Sequence, residues 1–114
     1  MSTLYLAALG ITLGTEVPVV VLLYPGQRLR LGCACAAATT ATHLAMHFVL
    51  PGLVAGGTWA LVAGEALALF AEAAVYFAVS RPRDAGHALV ASALANSISF
   101  GAGLVLLGGV ATAR

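Results

Sequence analysis

Four apolar segments, each close to the length of a membrane-spanning helix, constrain this chain more than any other feature. They cover residues 3–24, 31–50, 58–80 and 87–110. A helix needs about 20 residues to cross a hydrocarbon core about 30 Å thick, so each segment predicts one span. In lipid every backbone polar group must be hydrogen-bonded within its own segment, which favours helices over isolated strands. Residues 1–114 are therefore predicted to form a single all-α transmembrane domain.

The composition of the chain points to the same solvent. Apolar residues make up 61% of the sequence and charged residues only 8%, and the mean hydropathy is +1.03. A soluble domain of this size leaves so much of its surface exposed that it could not hide this apolar area. A net charge of +1 without a basic run argues against a nucleic-acid partner. Because all basic residues are Arg and Ala, Gly, Leu and Val predominate, we expect a bacterial source and the inner membrane.

The connections between the segments predict how the helices are arranged. They read "PGQRLR", "PGLVAGG" and "RPRDAG", and helices joined by such short turns pack as antiparallel neighbours, up-down-up-down in a four-helix bundle. The first connection carries Arg28 and Arg30, the third carries Arg81 and Arg83, and the middle one carries no charge. The positive-inside rule then predicts that these four topology determinants face the cytoplasm and that both termini face outward.

The two halves of the chain are weakly alike, which suggests a repeat of one helical hairpin. The shift along the sequence that aligns Glu16 with Glu72 also pairs Thr40 with Asn96 and His43 with Ser99. A genuine repeat would relate the hairpins by an axis along the membrane normal, as in some transporters. Identity between the halves is low, so chance similarity is the other interpretation.

Acidic, histidine and amide side chains recur near the middle of the predicted spans. With a rise of about 1.5 Å per residue, Glu16, Glu72 and Asn96 fall about 3–5 Å to the cytoplasmic side of the midplane. His43 and Glu65 fall about 4–6 Å to the outer side. A charged group that faces lipid costs on the order of 3 kcal/mol, so we expect these residues to point into the bundle.

Each helix also has one seam of polar residues on a single face, and we expect all four seams to turn inward. The seam residues are Thr12, Thr15 and Glu16; Cys35, Thr39, His43 and His47; Glu65, Glu72 and Tyr76; and Ser92, Asn96, Ser99 and Gly103. Two acids at one depth can share a proton or hold a cation. The predicted proton- or cation-binding residues are therefore Glu16, Glu72, Asn96 and Glu65.

A metal site is a second interpretation of the same polar centre. His43 and His47, spaced i and i+4, can present two nitrogens to one divalent metal, and Glu65 can complete the site. A metal-dependent intramembrane hydrolase would use these groups. No acid pair or His–Glu motif at a known catalytic spacing supports it, so an enzyme is the less favoured prediction.

Helix one contains two features of close packing. Gly10 and Gly14 form a small-xxx-small pattern, which lets helix backbones approach each other in membranes. Pro18 has no amide hydrogen and crowds the carbonyl of Gly14, so we expect the helix to kink or loosen beside Glu16.

Two resemblances accompany these patterns. The length, the four spans and the acid Glu16 are similar to small multidrug resistance transporters, which implies proton-coupled exchange at a membrane-embedded glutamate. The further acids Glu65 and Glu72 and the strong arginine asymmetry depart from that family. Separately, "TEVP", "TTATH", the helix with Glu65 and Glu72, and "ANSIS" resemble a pattern of uncharacterised small four-helix bacterial membrane proteins. This second resemblance spans all four helices and implies no activity.

The sequence leaves two main functional interpretations open. The first is a small membrane protein whose Glu/His/Asn cluster binds or relays a proton or a cation, as in transport. The second is an accessory subunit in which interhelical hydrogen bonds between the same residues only hold the bundle together. Four helices of this length enclose a slim core, so the expected partners are the lipid bilayer and either further copies of the chain or other membrane subunits.

Overall fold

The computed structural model describes the backbone of residues 3–49 and 58–112 and the side chains of residues 3–49 and 59–106. Its elements are α1 (Thr3–Leu23), α2 (Arg28–Leu44), a π-helical turn (Ala45–Val49), α3 (Thr58–Val79) and α4 (Ala85–Thr112). The described part of the chain contains four α-helices and no strand, which confirms the all-α prediction. The predicted uncharged connection at 51–57, together with Leu50 and Arg114, lies outside the described residues.

Three of these helices are long and apolar enough to cross a membrane. They are Thr3–Leu23, Trp59–Val79 and Ala85–Leu106. The sequence predicts four spans, and α2 is the difference, because it is only 17 residues long and contains arginines, threonines and a histidine. The π-helical turn at Ala45–Val49 lengthens it toward the predicted end at residue 50.

The helices form a closed ring in which each one packs against two others. α1 lies against α2 and α4, and α3 also lies against α2 and α4. The Gln27 amide donates to the Arg81 carbonyl at 2.8 Å, and the Arg81 amide donates to Gln27 Oε1 at 2.7 Å. Nε2 of His87 donates to the Leu23 carbonyl at 2.7 Å. These bonds place the ends of α1 and α3 beside the starts of α2 and α4, so successive helices run antiparallel.

The end of the bundle that carries Arg28, Arg30, Arg81 and Arg83 is called the arginine end below. α2 begins before the predicted start at Leu31, so Arg28 and Arg30 lie in its first turn rather than in the connection. Arg and Leu are good helix formers, and only the Pro-Gly pair before them interrupts the helical backbone. Gly26 makes that interruption, because its φ of 85° is a conformation that other residues rarely adopt.

Helix α1 continues through Pro18, and its glycines are not where the chain packs most tightly. Gly10 and Gly14 are exposed, and a Cβ built on either would meet nothing within 4 Å. The predicted close contact at these glycines is therefore not made within the described part of the chain. Gly14 lies about 200° around the helix from the buried Glu16. It is therefore on the outer face of α1, away from the centre of the bundle. Gly32 is the tighter position, because its Cβ would approach Val21 Cγ2 to 3.2 Å.

The apolar core fills the half of the bundle nearest the arginine end. Its buried members are Val20, Tyr24, Leu31, Cys35, Tyr76, Ala88, Ala91 and Ala95. Alanines on α4 let the helices approach closely, and the ring of Tyr76 fills the centre without exposure. Above this packed half the polar seams of all four helices meet, and a cavity opens between them.

Candidate functional site

Two glutamates from opposite helices of the ring meet in the middle of the bundle. Glu16 comes from α1 and Glu72 from α3, and each side chain is only 1% exposed. Their carboxyl groups lie within interaction distance of each other. The depth count along the sequence predicts these two acids at one level, and the structure brings them together.

The Glu16 carboxyl is held by one hydroxyl from each flanking helix. Thr39 on α2 donates to Oε1 at 3.0 Å, and Ser99 on α4 donates to Oε2 at 2.6 Å. The second distance is typical of a strong hydrogen bond between a hydroxyl and a carboxylate. Both oxygens of Glu16 therefore have a donor although the group is withdrawn from solvent.

The Glu72 carboxyl is held in the same way, with one additional donor. Thr42 on α2 donates to Oε2 at 2.9 Å, and the Asn96 amide on α4 donates to Oε1 at 3.2 Å. The Tyr76 hydroxyl, one turn along α3, also reaches Oε1 at 3.4 Å. The two acids and the four donors from α2 and α4 are called the carboxyl network below: Glu16, Thr39, Thr42, Glu72, Asn96 and Ser99.

The carboxyl network has an internal two-fold pattern. Thr39 and Asn96 each serve the acid of their own hairpin, whereas Thr42 and Ser99 each serve the acid of the other hairpin. One common shift along the sequence relates Thr39 to Asn96 and Thr42 to Ser99. The shift that relates Glu16 to Glu72 is one residue shorter than the shift that relates Thr39 to Asn96. The repeat predicted from the two acids therefore paired Asn96 with Thr40, one residue after the threonine that takes the equivalent role. The hydroxyl of Thr40 bonds the Ala36 carbonyl of its own helix instead.

A second route joins the two acids on the side of the packed core. The Tyr76 hydroxyl donates to Sγ of Cys35 at 3.2 Å as well as reaching Glu72. Sγ of Cys35 lies 3.7 Å from the Thr39 hydroxyl, which in turn donates to Glu16. The two carboxyls are thus connected through a continuous chain of polar side chains. All three linking residues belong to the predicted seams, Cys35 and Thr39 on α2 and Tyr76 on α3.

No positive charge balances this pair within the described part of the chain. All hydrogen bonds to the Glu16 and Glu72 side chains come from hydroxyls or the Asn96 amide. Arg28, Arg30, Arg81 and Arg83 are exposed at the arginine end. Repulsion between two ionised carboxylates at this position would be relieved by protonation of one of them or by a cation.

A cavity of about 250 Å³ lies against the carboxyl pair on the side away from the packed core. All four predicted proton- or cation-binding residues line it: Glu16, Glu65, Glu72 and Asn96. His43 adds an imidazole, and Phe100 and Leu104 are among the apolar residues of the wall. The cavity thus combines acidic groups with an apolar wall.

Glu65 differs from the other two acids of the cavity. It lies two turns from Glu72 on α3 and is half-buried. No side chain of the described residues donates a hydrogen bond to it, in contrast to the paired acids. Its carboxyl is therefore less constrained than theirs and reaches the cavity from the side opposite the packed core.

The two histidines of the predicted metal site both pack against Tyr5. The ring centroid of Tyr5 lies 4.9 Å from that of His43 and 4.5 Å from that of His47. Only His43 lines the cavity, whereas His47 lies in the π-helical turn. Across the described residues no group of three or more His, Cys, Asp or Glu side chains is placed to hold a metal ion. The metal site stays a prediction.

Thr42 was not predicted from the sequence as a functional position. Thr42 lies three residues after Thr39, so it shares a helix face with a predicted seam residue, and this spacing was a usable signal. The role of Cys35 as a link between Tyr76 and Thr39 had no comparable signal, because it depends on the distance between α2 and α3.

No family model, curated protein or solved structure matches the chain.

Proposed function

We propose that the chain is an integral membrane protein in which Glu16 and Glu72 bind or relay a proton or a cation. The observation that carries the proposal is the carboxyl pair itself. Two buried acids from opposite helices lie within interaction distance of each other, accept hydrogen bonds only from neutral groups of the described residues, and line a cavity of about 250 Å³.

The geometry of the pair supports proton binding. Two carboxylates this close in an apolar interior repel each other strongly, whereas one shared proton turns the repulsion into an attraction. The hydroxyls of Thr39, Thr42 and Ser99 can each reverse their role as the proton moves, since a hydroxyl both donates and accepts. The network therefore fits a pair that alternates between protonated and ionised forms without losing its position.

The cavity supports the exchange of that proton for a cation. When the pair loses its proton, a net negative charge is left beside a space lined by further polar groups. A cation in that space would face Glu16, Glu65 and Glu72 and would be shielded from water by the apolar wall. Electrostatic attraction is strong in such a low-dielectric setting.

The outer surface of the bundle supports a location in the membrane. The longest dimension is 45 Å, close to the full thickness of a bilayer with its headgroups. Large apolar side chains such as Leu22, Phe70 and Val105 are exposed on the outside. α2 would be the fourth span, shielded by α1 and α3, and the arginine end would face the cytoplasm by the positive-inside rule. A bundle this slim also fits an oligomer or a larger membrane complex.

The test is proton exchange by the purified protein in liposomes loaded with a pH-sensitive dye. Sodium, potassium and tetramethylammonium chloride serve as the cation probes, and infrared difference spectra report protonated carboxyl groups directly. Glu16→Gln and Glu72→Gln are each expected to remove one carboxyl group from the infrared difference signal and to abolish cation-driven proton release. Asp84→Asn is the matched control, because it removes a carboxylate at the arginine end and retains a side chain that caps helices well. Unchanged proton release in both Gln variants would disprove the proposal.

The accessory-subunit alternative is favoured by a specific observation. Every oxygen of the Glu16 and Glu72 carboxyls already accepts a hydrogen bond, so the network is adequate as interhelical glue. That alternative predicts co-purification with one fixed partner from native membranes and no response of proton exchange to either Gln substitution.

A further inference from the structure

A second cavity, of about 550 Å³, lies at the arginine end between the first turn of α2 and the turn that joins α3 to α4. Three arginines line it: Arg28, Arg30 and Arg81. None of its lining residues is acidic. One carboxylate oxygen of the nearby Asp84 accepts a hydrogen bond from the backbone amide of His87, at the start of α4, at 3.0 Å. The residues that line the cavity therefore carry a net positive charge, and Asp84 lies outside it, in the neighbouring pocket that Arg81 also lines.

The backbone at the start of α2 adds to this charge. Gln27, the residue before the helix, makes no side-chain cap, because its amide is used to bond the backbone of Arg81 on both sides. The first amides of α2 are consequently left without a side-chain acceptor at the positive end of the helix dipole. α4 differs, since Asp84 caps it with a carboxylate. An anion in the cavity would supply at α2 what Asp84 supplies at α4.

The Arg81 side chain is held in place. Its Nη1 donates to the Ala78 carbonyl at 3.0 Å and to the Ser80 carbonyl at 2.8 Å. These bonds fix the guanidinium at the end of α3 and leave Nη2 and Nε available to a ligand. A guanidinium that is already ordered loses less freedom on binding a planar or tetrahedral oxyanion.

We propose that this cavity binds the phosphate of an anionic phospholipid headgroup. Three guanidiniums and unpartnered helix amides are the groups that recognise phosphate in proteins. Leu29, between Arg28 and Arg30, lines the same cavity and is 82% exposed. An exposed leucine beside a phosphate site suits a ligand with an acyl chain and not free phosphate. The inference depends on the membrane location given above but not on the carboxyl pair.

Cys33 provides a reporter within the chain. It is exposed and lines the cavity, whereas Cys35 is fully buried. The experiment measures alkylation of Cys33 by N-ethylmaleimide in purified protein, with phosphatidylglycerol, phosphatidylcholine or inorganic phosphate added to the detergent. Peptide mass spectrometry separates the two cysteines, and an unreactive Cys35 shows that the fold is intact.

Phosphatidylglycerol is expected to slow Cys33 alkylation several-fold, and phosphatidylcholine is expected to have little effect. Each arginine near an anionic lipid is worth about fivefold in affinity, so Arg28→Gln with Arg30→Gln should weaken the protection roughly 30-fold in lipid concentration. Arg83→Gln is the matched control, because Arg83 is exposed at the same end but does not line the cavity. For each variant the rate of Cys33 alkylation is measured with and without lipid, and the ratio of the two rates is compared between variants. Changes in intrinsic thiol reactivity therefore cancel.

Three outcomes would overturn the lipid site. Equal protection by phosphatidylcholine would mean that headgroup charge is not recognised. Protection by inorganic phosphate alone would assign the cavity to a soluble anion. An equal loss in Arg83→Gln would show a diffuse surface effect instead of a site. None of these outcomes involves Glu16 or Glu72, so this test and that of the carboxyl pair fail independently.

Discussion

Glu72 and Glu65 lie on the same face of α3 and line the same cavity, yet they differ in burial and in the hydrogen bonds that they accept. Glu72 is buried and accepts hydrogen bonds from Thr42, Tyr76 and Asn96. Glu65 is half-buried, and no described side chain donates to it. The first acid is part of the structure as well as a candidate binding group, whereas the second is available to a ligand at little structural cost. The polar centre therefore separates into a fixed part and an adaptable part.

The largest expected effect tests this separation through stability. Glu72→Leu removes an acceptor of Thr42 and of Asn96 and one of the two acceptors that the Tyr76 hydroxyl reaches. It should lower the free energy of unfolding by about 2–3 kcal/mol, since each such bond in a membrane protein contributes roughly 0.6–1.7 kcal/mol. Glu65→Leu should change it by less than about 0.5 kcal/mol, because no donor is left unpaired. Unfolding in mixed detergent and dodecyl sulfate micelles, followed by far-ultraviolet circular dichroism, gives both values.

The comparison fails if Glu65→Leu destabilises as much as Glu72→Leu. Glu72→Gln controls for the shape of the side chain, because it retains one carbonyl acceptor and should lose less than the Leu variant. A loss in Glu72→Gln equal to that in Glu72→Leu would instead assign the stability to the second carboxyl oxygen, which the Gln amide replaces with a donor.

The next largest effect tests the two-fold pattern of the carboxyl network. Thr39→Val and Thr42→Val each remove one donor to an acid and keep the shape of the side chain. Each should cost about 1 kcal/mol in the same unfolding assay, and the two costs should be similar. Thr40→Val is the matched control with an expected cost below about 0.5 kcal/mol, because the Thr40 hydroxyl bonds only its own helix. A cost for Thr40→Val equal to the others would show that helix propensity and not the network is being measured.

Helical periodicity was sufficient to predict the polar centre in outline. Four apolar segments predict four helices, and a rise of about 1.5 Å per residue places Glu16, Glu72 and Asn96 at one level. The structure joins Glu72 to Asn96 directly and brings Glu16 beside them. The count works because apolar segments are long and regular, so an error of one or two residues shifts a group by only about 2–3 Å.

The polar seams include three of the donors, Thr39, Asn96 and Ser99. The position on α2 that the repeat assigns to Asn96 was harder to predict, because it depends on rotation and not on depth. One residue changes the direction of a side chain by about 100° around a helix, so the repeat that aligns the two acids selected Thr40 when the structure uses Thr39 and Thr42. The same sensitivity explains Gly14, which lies close to Glu16 in sequence but on the outer face of α1. Depth along a helix tolerates small errors, whereas rotation around it does not.

The smallest expected effect tests an assumption behind the comparison of Glu72 with Glu65. The expected losses in the free energy of unfolding for Glu72→Leu and Glu65→Leu follow from contacts within one chain. A partner chain packed against the bundle would change both values. Gly14→Ala places a methyl group where nothing lies within 4 Å, so the free energy of unfolding should rise by about 0.4–1 kcal/mol, because Ala favours a helix over Gly. Gly32→Ala is the contrasting variant and should cost up to about 1 kcal/mol, because its methyl group would press on Val21. A cost for Gly14→Ala above that for Gly32→Ala, together with a loss of oligomers in cross-linking, would place another helix against this face of α1. The energetic difference between the two acids would then have to be measured in the assembled protein, since the same helix contact would contribute to every unfolding value.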